Sequence, residues 1–275
     1  MLSRTLFATS RVLPMYTINL QAFATVSDVA ACSTQFTDIV RSRTCCHNFL
    51  QKDVDDTLLN HILSETLTAP TARNWQPYKI VIMKDKKNIA KLAECCVKGN
   101  ANVINQAAGV AVFLADSDPV KLADDFKSLW EQEGKDGSKV TKMLSTFNRT
   151  IGKGGLTGWF NELLLKFASK KMITPIYQTG LEWSTKQTIF PLEMFVLSCQ
   201  ANGLATGIME GFDGRRVRGI VGCSKRYSVS ALVPFGYRDE SKSSKASIRY
   251  PSETMVFNEK FGNQRSGIPV LQREG

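Results

Sequence analysis

The sequence predicts a mixed helix-and-strand fold, a central sheet of about four strands wrapped by helices, with one long helix buried against it. Three observations carry that expectation. Gly109–Ala115 (GVAVFLA) is a continuous apolar run of strand length, the pattern of a strand covered on both faces. Leu181–Ala201 is the longest helical pattern and is apolar on most of its faces, which places it in the interior. No strand candidate is followed by G-x-G-x-x-G, so a parallel dinucleotide-binding fold is disfavoured.

Taken in order, residues 1–27 hold two arginines, many hydroxylated residues, scattered large apolars and no acid before Asp28. That is the pattern of a mitochondrial transit peptide, the alternative being a disordered tail. Its apolar residues are interrupted too often for a membrane span, which needs about 20 in succession. The expected location is therefore the mitochondrion, otherwise the cytoplasm. One domain is expected over residues 34–275, with a helical insertion at 117–178. From Thr34 a short amphipathic helix runs to Ile39 or Val40, followed by the polar loop Arg41–Asn48. Asp53–Leu67 sets Val54, Leu58, His61, Ile62 and Glu65 at helical spacing, with Asp53 as N-cap and Ala69-Pro70 as the stop. His61 reads as a polar residue at the edge of that helix.

Tyr78–Met83 (YKIVIM) is a strand by composition, and a helix from about Lys86 to Val97 follows it. Ser117–Gln178 reads as mostly helical but broken by Gly134, Gly137 and the cluster Gly152-Lys153-Gly154-Gly155. The cluster lacks the spacing and the G-K-[ST] ending of a phosphate loop and reads as a hinge. Inside the long helix Pro191 predicts a kink or a broken start, and Gly203 a C-cap. Ala205–Met209 and Val229–Gly236 complete the strands.

Composition narrows the function classes. The 275 residues are 43% hydrophobic and 22% charged, enough to bury a full core. The net charge of +10 is scattered, and its densest stretches, Lys166–Lys171 and Lys242–Arg249, carry few aromatics and no nucleic-acid motif. A solvated basic surface that attracts anionic cofactors is the reading, with no nucleic-acid partner and no membrane span. Seven cysteines, at 32, 45, 46, 95, 96, 199 and 223, make an odd number without C-x-x-C, so there is no disulfide framework. His47 and His61 are the only histidines and lack partners at zinc spacing, so no metal site is expected.

Four separated segments carry the remaining signal: Val40–Phe49 (VRSRTCCHNF), Ala69–Tyr78 (APTARNWQPY), Gly207–Asp213 (GIMEGFD) and Ser247–Pro251 (SIRYP). Together they resemble the nitroreductase family of FMN flavoproteins, and the resemblance spans nearly the whole chain after residue 34. In that family the opening loop grips the FMN phosphate and ribityl chain, which implies this role for Arg43, Thr44, Cys45 and His47. A guanidinium suits it because its planar fork can bind two phosphate oxygens. Cys45 stands where Ser is usual and His47 where Lys or Arg is usual, so the grip leans more on backbone N–H groups.

The second segment resembles the family signature A-P-S-x-x-N-x-Q-P-W and implies that its loop reaches the flavin of the other subunit, with Pro70, Thr71 and Ala72 packing near the ring and Asn74 bonding a neighbouring turn. The third resembles E-G-F-D and implies that Met209, Glu210 and Gly211 lie at the ring, with backbone N–H groups facing N5 and O4. The fourth resembles K-x-R-x-P and implies that Arg249 returns to the phosphate. Ser247 takes the earlier basic position, with Lys245 two residues away. Asn100 is implied at the pyrimidine edge.

The resemblance further implies an α+β three-layer sandwich with a mostly antiparallel sheet, assembled as an intertwined homodimer with an FMN site shared by both chains. It implies ping-pong transfer from NADH or NADPH to small acceptors, nitroaromatics or quinones, the insertion forming the acceptor pocket. No catalytic side chain is expected, because the cofactor does the chemistry. Alternatives are a narrower reaction on the same fold, such as dehalogenation or flavin fragmentation, or a flavin- or partner-binding protein without turnover. Placed where the family has a permanent cation, His47 would stabilise the negative charge of reduced flavin only while protonated, below an imidazole reference of about 6.5. Potentiometry of the bound flavin from about pH 5.5 to 8 should show an added slope through that range in wild type and none in His47→Lys.

Overall fold

The structure is a computed structural model of the chain and describes residues 35–143, 151–152, 159–160, 163–164, 167, 178–242 and 248–269. The expected leader at 1–27, Lys245, Ser247, most of the glycine cluster and much of the expected insertion lie outside the described residues. Chain contacts group Ile39–Gly275 into one compact unit, and the separate unit Met1–Asp38 contributes only residues 35–38 to the description. Residues 35–42 are helical.

The sheet is four-stranded in the order β1 (Tyr78–Met83), β2 (Gly109–Asp116), β6 (Tyr227–Gly236), β5 (Ala205–Thr206), and every neighbouring pair is antiparallel. Strand alternation sorts β2 onto two faces. Val110, Val112 and Leu114 pack with Ile89 and Leu92 of α2 (Lys86–Ala93), Val103 and Ile104 of α3 (Lys98–Gln106), and Val217 of α6 (Gly214–Val221). Ala111 and Phe113 face the other way, onto Leu59 and Ile62 of α1 (Asp56–Thr66) and Leu192, Phe195 and Val196 of α5 (Gly180–Ala201). Helices, sheet and helices make the three layers that the sequence led us to expect. All eight residues of β2 are buried, as its unbroken apolar run required.

A smaller cluster joins Trp75, Trp183, Ile151 and Val140 to Ala123 and Phe126 of α4 (Ala123–Gln132). Nearby, β3 (Ile151–Gly152) and β4 (Gln178–Thr179) pair in parallel. At the end of β2, buried Asp116 takes two bonds from Arg226, Nε to Oδ1 at 2.7 Å and Nη2 to Oδ2 at 2.5 Å. This fork fastens β2 to the entry of β6, since the carbonyl of Arg226 also accepts from the N–H and hydroxyl of Ser117.

Several expectations are corrected. Asp55, not Asp53, caps α1, its carboxylate accepting from the N–H groups of Thr57 and Leu58. The helix expected over Lys86–Val97 stops at Ala93, and a second helix, Lys98–Gln106, was not foreseen. The break is tertiary: Cys95 and Val97 bond across to Asp213 and Gly211, at 2.7 and 3.0 Å, and backbone groups so engaged cannot continue the helix.

Pro191 neither breaks nor delays α5, which runs through it as one helix and opens with a capping box between Thr179 and Glu182. Asn202 is the C-cap of α5. Gly203 follows at φ +75° and Leu204 bonds back to the carbonyl of Cys199, the αL closure that glycine permits at the position after the cap.

Phe195 is fully buried and meets Phe113 and Phe235 edge-on at 5.9 and 5.8 Å. Phe195→Ala should cost about 3–5 kcal/mol, read from urea unfolding midpoints at unchanged slope.

Candidate functional site

Strand β6 and its continuation hold three separate segments together. Phe235 stands opposite Thr206 in the register while its carbonyl accepts from the N–H of Ala108 on the other side, and the carbonyl of Pro234 accepts from the N–H of Gly207 at 3.1 Å. Pro234 has no N–H to return, so the ladder cannot go on, and the strand expected over Ala205–Met209 ends at Thr206. Pairing resumes for one residue, with Met209 and Leu232 exchanging both backbone bonds. The chain then leaves the sheet at Glu210 and Gly211, whose N–H groups donate to nothing among the described residues.

The opening loop lies on the same support. The N–H of Cys46 donates to the carbonyl of Thr206 at 2.8 Å, Cys45 bridges Thr206, and Gly207 sits so close that a Cβ there would meet the Cys46 carbonyl at 3.0 Å. Further along, Leu50 bonds to Tyr237 and Asp239 to Asn48. Thr44 is buried, Arg43 and Cys45 are half-buried, and His47 is exposed. The N–H groups of Thr44, Cys45 and His47 donate to nothing among the described residues, as a loop that leans on backbone donors requires.

Asn100, on α3, reaches the turn from the other side. Its Nδ2 donates to the carbonyl of Gly211 at 3.4 Å, and a Cβ on Gly211 would lie 2.9 Å from that nitrogen and 3.0 Å from Val97. The elbow between α2 and α3 therefore fixes Gly211 by its carbonyl, while its N–H has no partner among the described residues. Asp213 then caps α6 through the N–H groups of Arg215 and Arg216, and these bonds hold its carboxyl below the usual range. Met209 is buried and Glu210 exposed.

The loop of the second segment is held apart from these. Arg73, Asn74 and Gln76 all have left-handed backbone, at φ +58°, +55° and +49°. Three restraints hold them there: Gln187 of α5 accepts from the N–H of Ala72 at 2.7 Å, the Trp75 indole donates to the carbonyl of Pro119 at 2.8 Å, and Thr71 Oγ1 accepts from Gln76. Asn74 bonds within its own loop, its Oδ1 accepting from Gln76 Nε2, rather than to a neighbouring turn. Pro70, Ala72 and Asn74 are exposed and Thr71 is half-buried. Beside the loop an apolar cleft of about 410 Å³ opens between α1, the outer edge of β1 and α4, lined by Leu63, Leu67, Tyr78, Phe126 and Leu129.

The structure thus brings Arg43 to His47, Met209 to Gly211 and Asn100 onto one support, and does not bring Arg249 to them. Arg249 is exposed, its recorded bond going to the carbonyl of Ile248. Sequence reasoning missed Arg238, Gln187 and Val97, which hold the loops from behind. Of these only Arg238 had a visible signal, a charged residue two positions after the strand. Burial raises the thiols of Cys46, Cys95, Cys199 and Cys223, and Cys96 is pushed up to about 11, so these cysteines stay protonated near neutrality.

Among the described residues no cluster of three or more His, Cys, Asp or Glu could hold a metal, and no helix is long and apolar enough to cross a membrane. What remains is a set of N–H groups without partners among the described residues, the half-buried Arg43 in the same loop, and two glycines that let the loop, the turn and α3 pack closely. This donor set fits a flat ring carrying a phosphate, and so fits FMN.

Comparison with known proteins agrees with this fold. The sequence profile of the nitroreductase family matches residues 40–237. An NADH dehydrogenase of Thermus thermophilus is 28% identical over 216 residues, covering 78% of this chain and 91% of its own. A nitroreductase family protein from Streptococcus pneumoniae superimposes with a TM-score of 0.63 at 19% identity, over 81% of this chain and 99% of the other. A structure from Exiguobacterium sibiricum in complex with FMN does so with a TM-score of 0.61 at 16% identity, over 80% and 95%.

Gln187→Leu leaves the N–H of Ala72 without its acceptor and should cost about 1–3 kcal/mol of stability. Hydrogen exchange should rise over residues 71–76 and stay unchanged in β2.

Proposed function

Because this chain belongs to the nitroreductase family of NAD(P)H oxidoreductases, we propose that it is an FMN enzyme passing electrons from NADH or NADPH to nitroaromatics or quinones. The observation that carries the reading is the gathering of Thr44–His47 and Met209–Gly211 at the β5–β6 edge, with Asn100 bonded to the Gly211 carbonyl and with N–H groups in both segments that have no partner among the described residues. The E. sibiricum structure in complex with FMN supports the choice of cofactor. When bound, FMN supplies the hydride and electron chemistry that no side-chain constellation here provides. Arg43 and the N–H groups of Thr44, Cys45 and His47 hold its phosphate. The N–H groups of Glu210 and Gly211 favour negative charge on the ring, and they need no reorganisation because Asn100 and Val97 already fix the Gly211 carbonyl. Buried Met209 keeps the base of the site dry.

The active form is a homodimer with sites shared between chains. The strained loop Thr71–Gln76 presents its outer residues to solvent in one copy, which suits a surface that meets a second. Ile248, Tyr250 and Phe261 of the C-terminal stretch are exposed by 95%, 79% and 93%, and the apolar cleft on the edge of β1 offers matching surface. Residues 1–27 act as a mitochondrial leader, and fusion of that segment to a fluorescent protein should direct it to mitochondria.

The purified chain should show flavin absorbance that bleaches anaerobically with NADH or NADPH and returns on adding a quinone or a nitroaromatic. A colourless protein that takes up no FMN would overturn the proposal, and a flavin that never bleaches would favour a binding protein without turnover. Arg43→Ala should weaken FMN binding by about 10- to 100-fold, the loss of one charge-assisted contact, measured by quenching of FMN fluorescence.

A further inference from the structure

We propose that Arg238 is a positioning residue for the FMN phosphate loop, supplying from the far end of the chain the permanent positive charge that the loop itself lacks at His47. The inference rests on the FMN reading above. Arg238 follows β6 by two residues, and its backbone pairs with Phe49 at the closing end of the loop. Its side chain turns back along the loop: Nη2 donates to the hydroxyl of Thr44 at 2.8 Å and lies 3.5 Å from the Thr44 carbonyl.

Both groups are shielded, Thr44 at 5% exposure and the Arg238 side chain at 17%. The guanidinium lies near enough to Cys46 to counter part of the rise that burial imposes on that thiol. The carboxylate recorded beside it, Glu240, is 3.8 Å away and 83% exposed, so water screens that pair strongly.

The geometry has two consequences for an anion in front of the loop. Thr44 is the first of the loop residues whose N–H groups have no partner among the described residues, and bonds to both its hydroxyl and its carbonyl hold the start of that segment. Arginine also stays charged at every working pH. A shielded, permanent cation behind the loop attracts a dianionic phosphate without touching it, because a low-dielectric surround weakens the field less than water does.

Comparison of FMN with riboflavin separates this role from a structural one, since the two ligands share the ring and differ in the phosphate. Arg238→Met should weaken FMN by about 10-fold or more and change riboflavin by less than about 2-fold. Arg238→Lys should fall between, keeping the charge and losing the fork. Thr44→Val should reproduce part of the loss. The wild-type preference for FMN over riboflavin should shrink as salt rises.

Equal weakening of both flavins by Arg238→Met would overturn the inference and make Arg238 a support of the loop alone. Unchanged FMN affinity in that variant would also overturn it. A wild-type chain that binds neither flavin would remove the FMN reading first and this inference with it. The backbone pairing of Phe49 and Arg238 does not need the side chain, so Arg238→Met is expected to fold, and riboflavin uptake checks that it has.

Discussion

Strand β6 meets β2 on one edge and the segment Ala205–Met209 on the other, and the second edge is interrupted at Pro234. The missing N–H ends the ladder after Thr206 and leaves Gly207 with one bond instead of two. Met209 regains Leu232 in the same register, and the chain leaves the sheet at Glu210. The opening loop uses the same edge, through Cys46 on Thr206 and Leu50 on Tyr237. A slip of one residue in β6 would reverse every side chain on it and move both loops. The candidate site is a product of that register.

Burial on the opposite edge fixes the register. Ala231, Val233 and Phe235 point to the α1 and α5 layer while Leu232 points to the α2 and α3 layer, each fully or almost fully buried, so a shifted β6 would carry this apolar set to the wrong face. A bulge between Phe113 and Leu114 of β2 absorbs the extra residue, Ser230, on β6. Beyond it the Asp116–Arg226 fork closes the pairing. Such a buried pair adds little net stability over an apolar equivalent, but losing one partner strands a charge, at a cost of about 3–5 kcal/mol. It acts as a register pin: a shifted β6 would leave Asp116 buried and unpaired.

Elements that depend on their own composition were legible in the sequence. The burial of β2 followed from seven apolar or small residues in a row, and α5 from its apolar faces. Elements set by distant partners were not. Nothing in Lys86–Val97 shows that the carbonyl of Cys95 and the N–H of Val97 will be taken by the turn at Gly211–Asp213, 114 or more residues on, so the elbow between two helices read as one. The length of β5 could have been inferred from Pro234, had the pairing partner been known. Asn100 was placed only by resemblance, and the structure gives it a physical contact with the carbonyl of Gly211. Arg249 was placed on the same ground, and its side chain bonds to the carbonyl of Ile248 instead.

The loop Thr71–Gln76 carries backbone strain at a surface that faces solvent. Non-glycine residues in left-handed backbone each cost about 1 kcal/mol or more, and three occur within four positions. Gln187, Trp75 and Thr71 compensate from within, yet the outer side chains they hold in place, Ala72, Arg73, Asn74 and Gln76, face solvent. A loop with no external contact would relax to a cheaper turn under mutation, since nothing would be lost by doing so. A loop that must present fixed atoms to a second surface would keep the strain and the restraints together. The indole of Trp75 bonds to Pro119, at the entry to the segment that the sequence assigns to the acceptor pocket. The same restraint thus ties the loop to the start of that segment, and under the proposed shared site a change in one would be felt at the other.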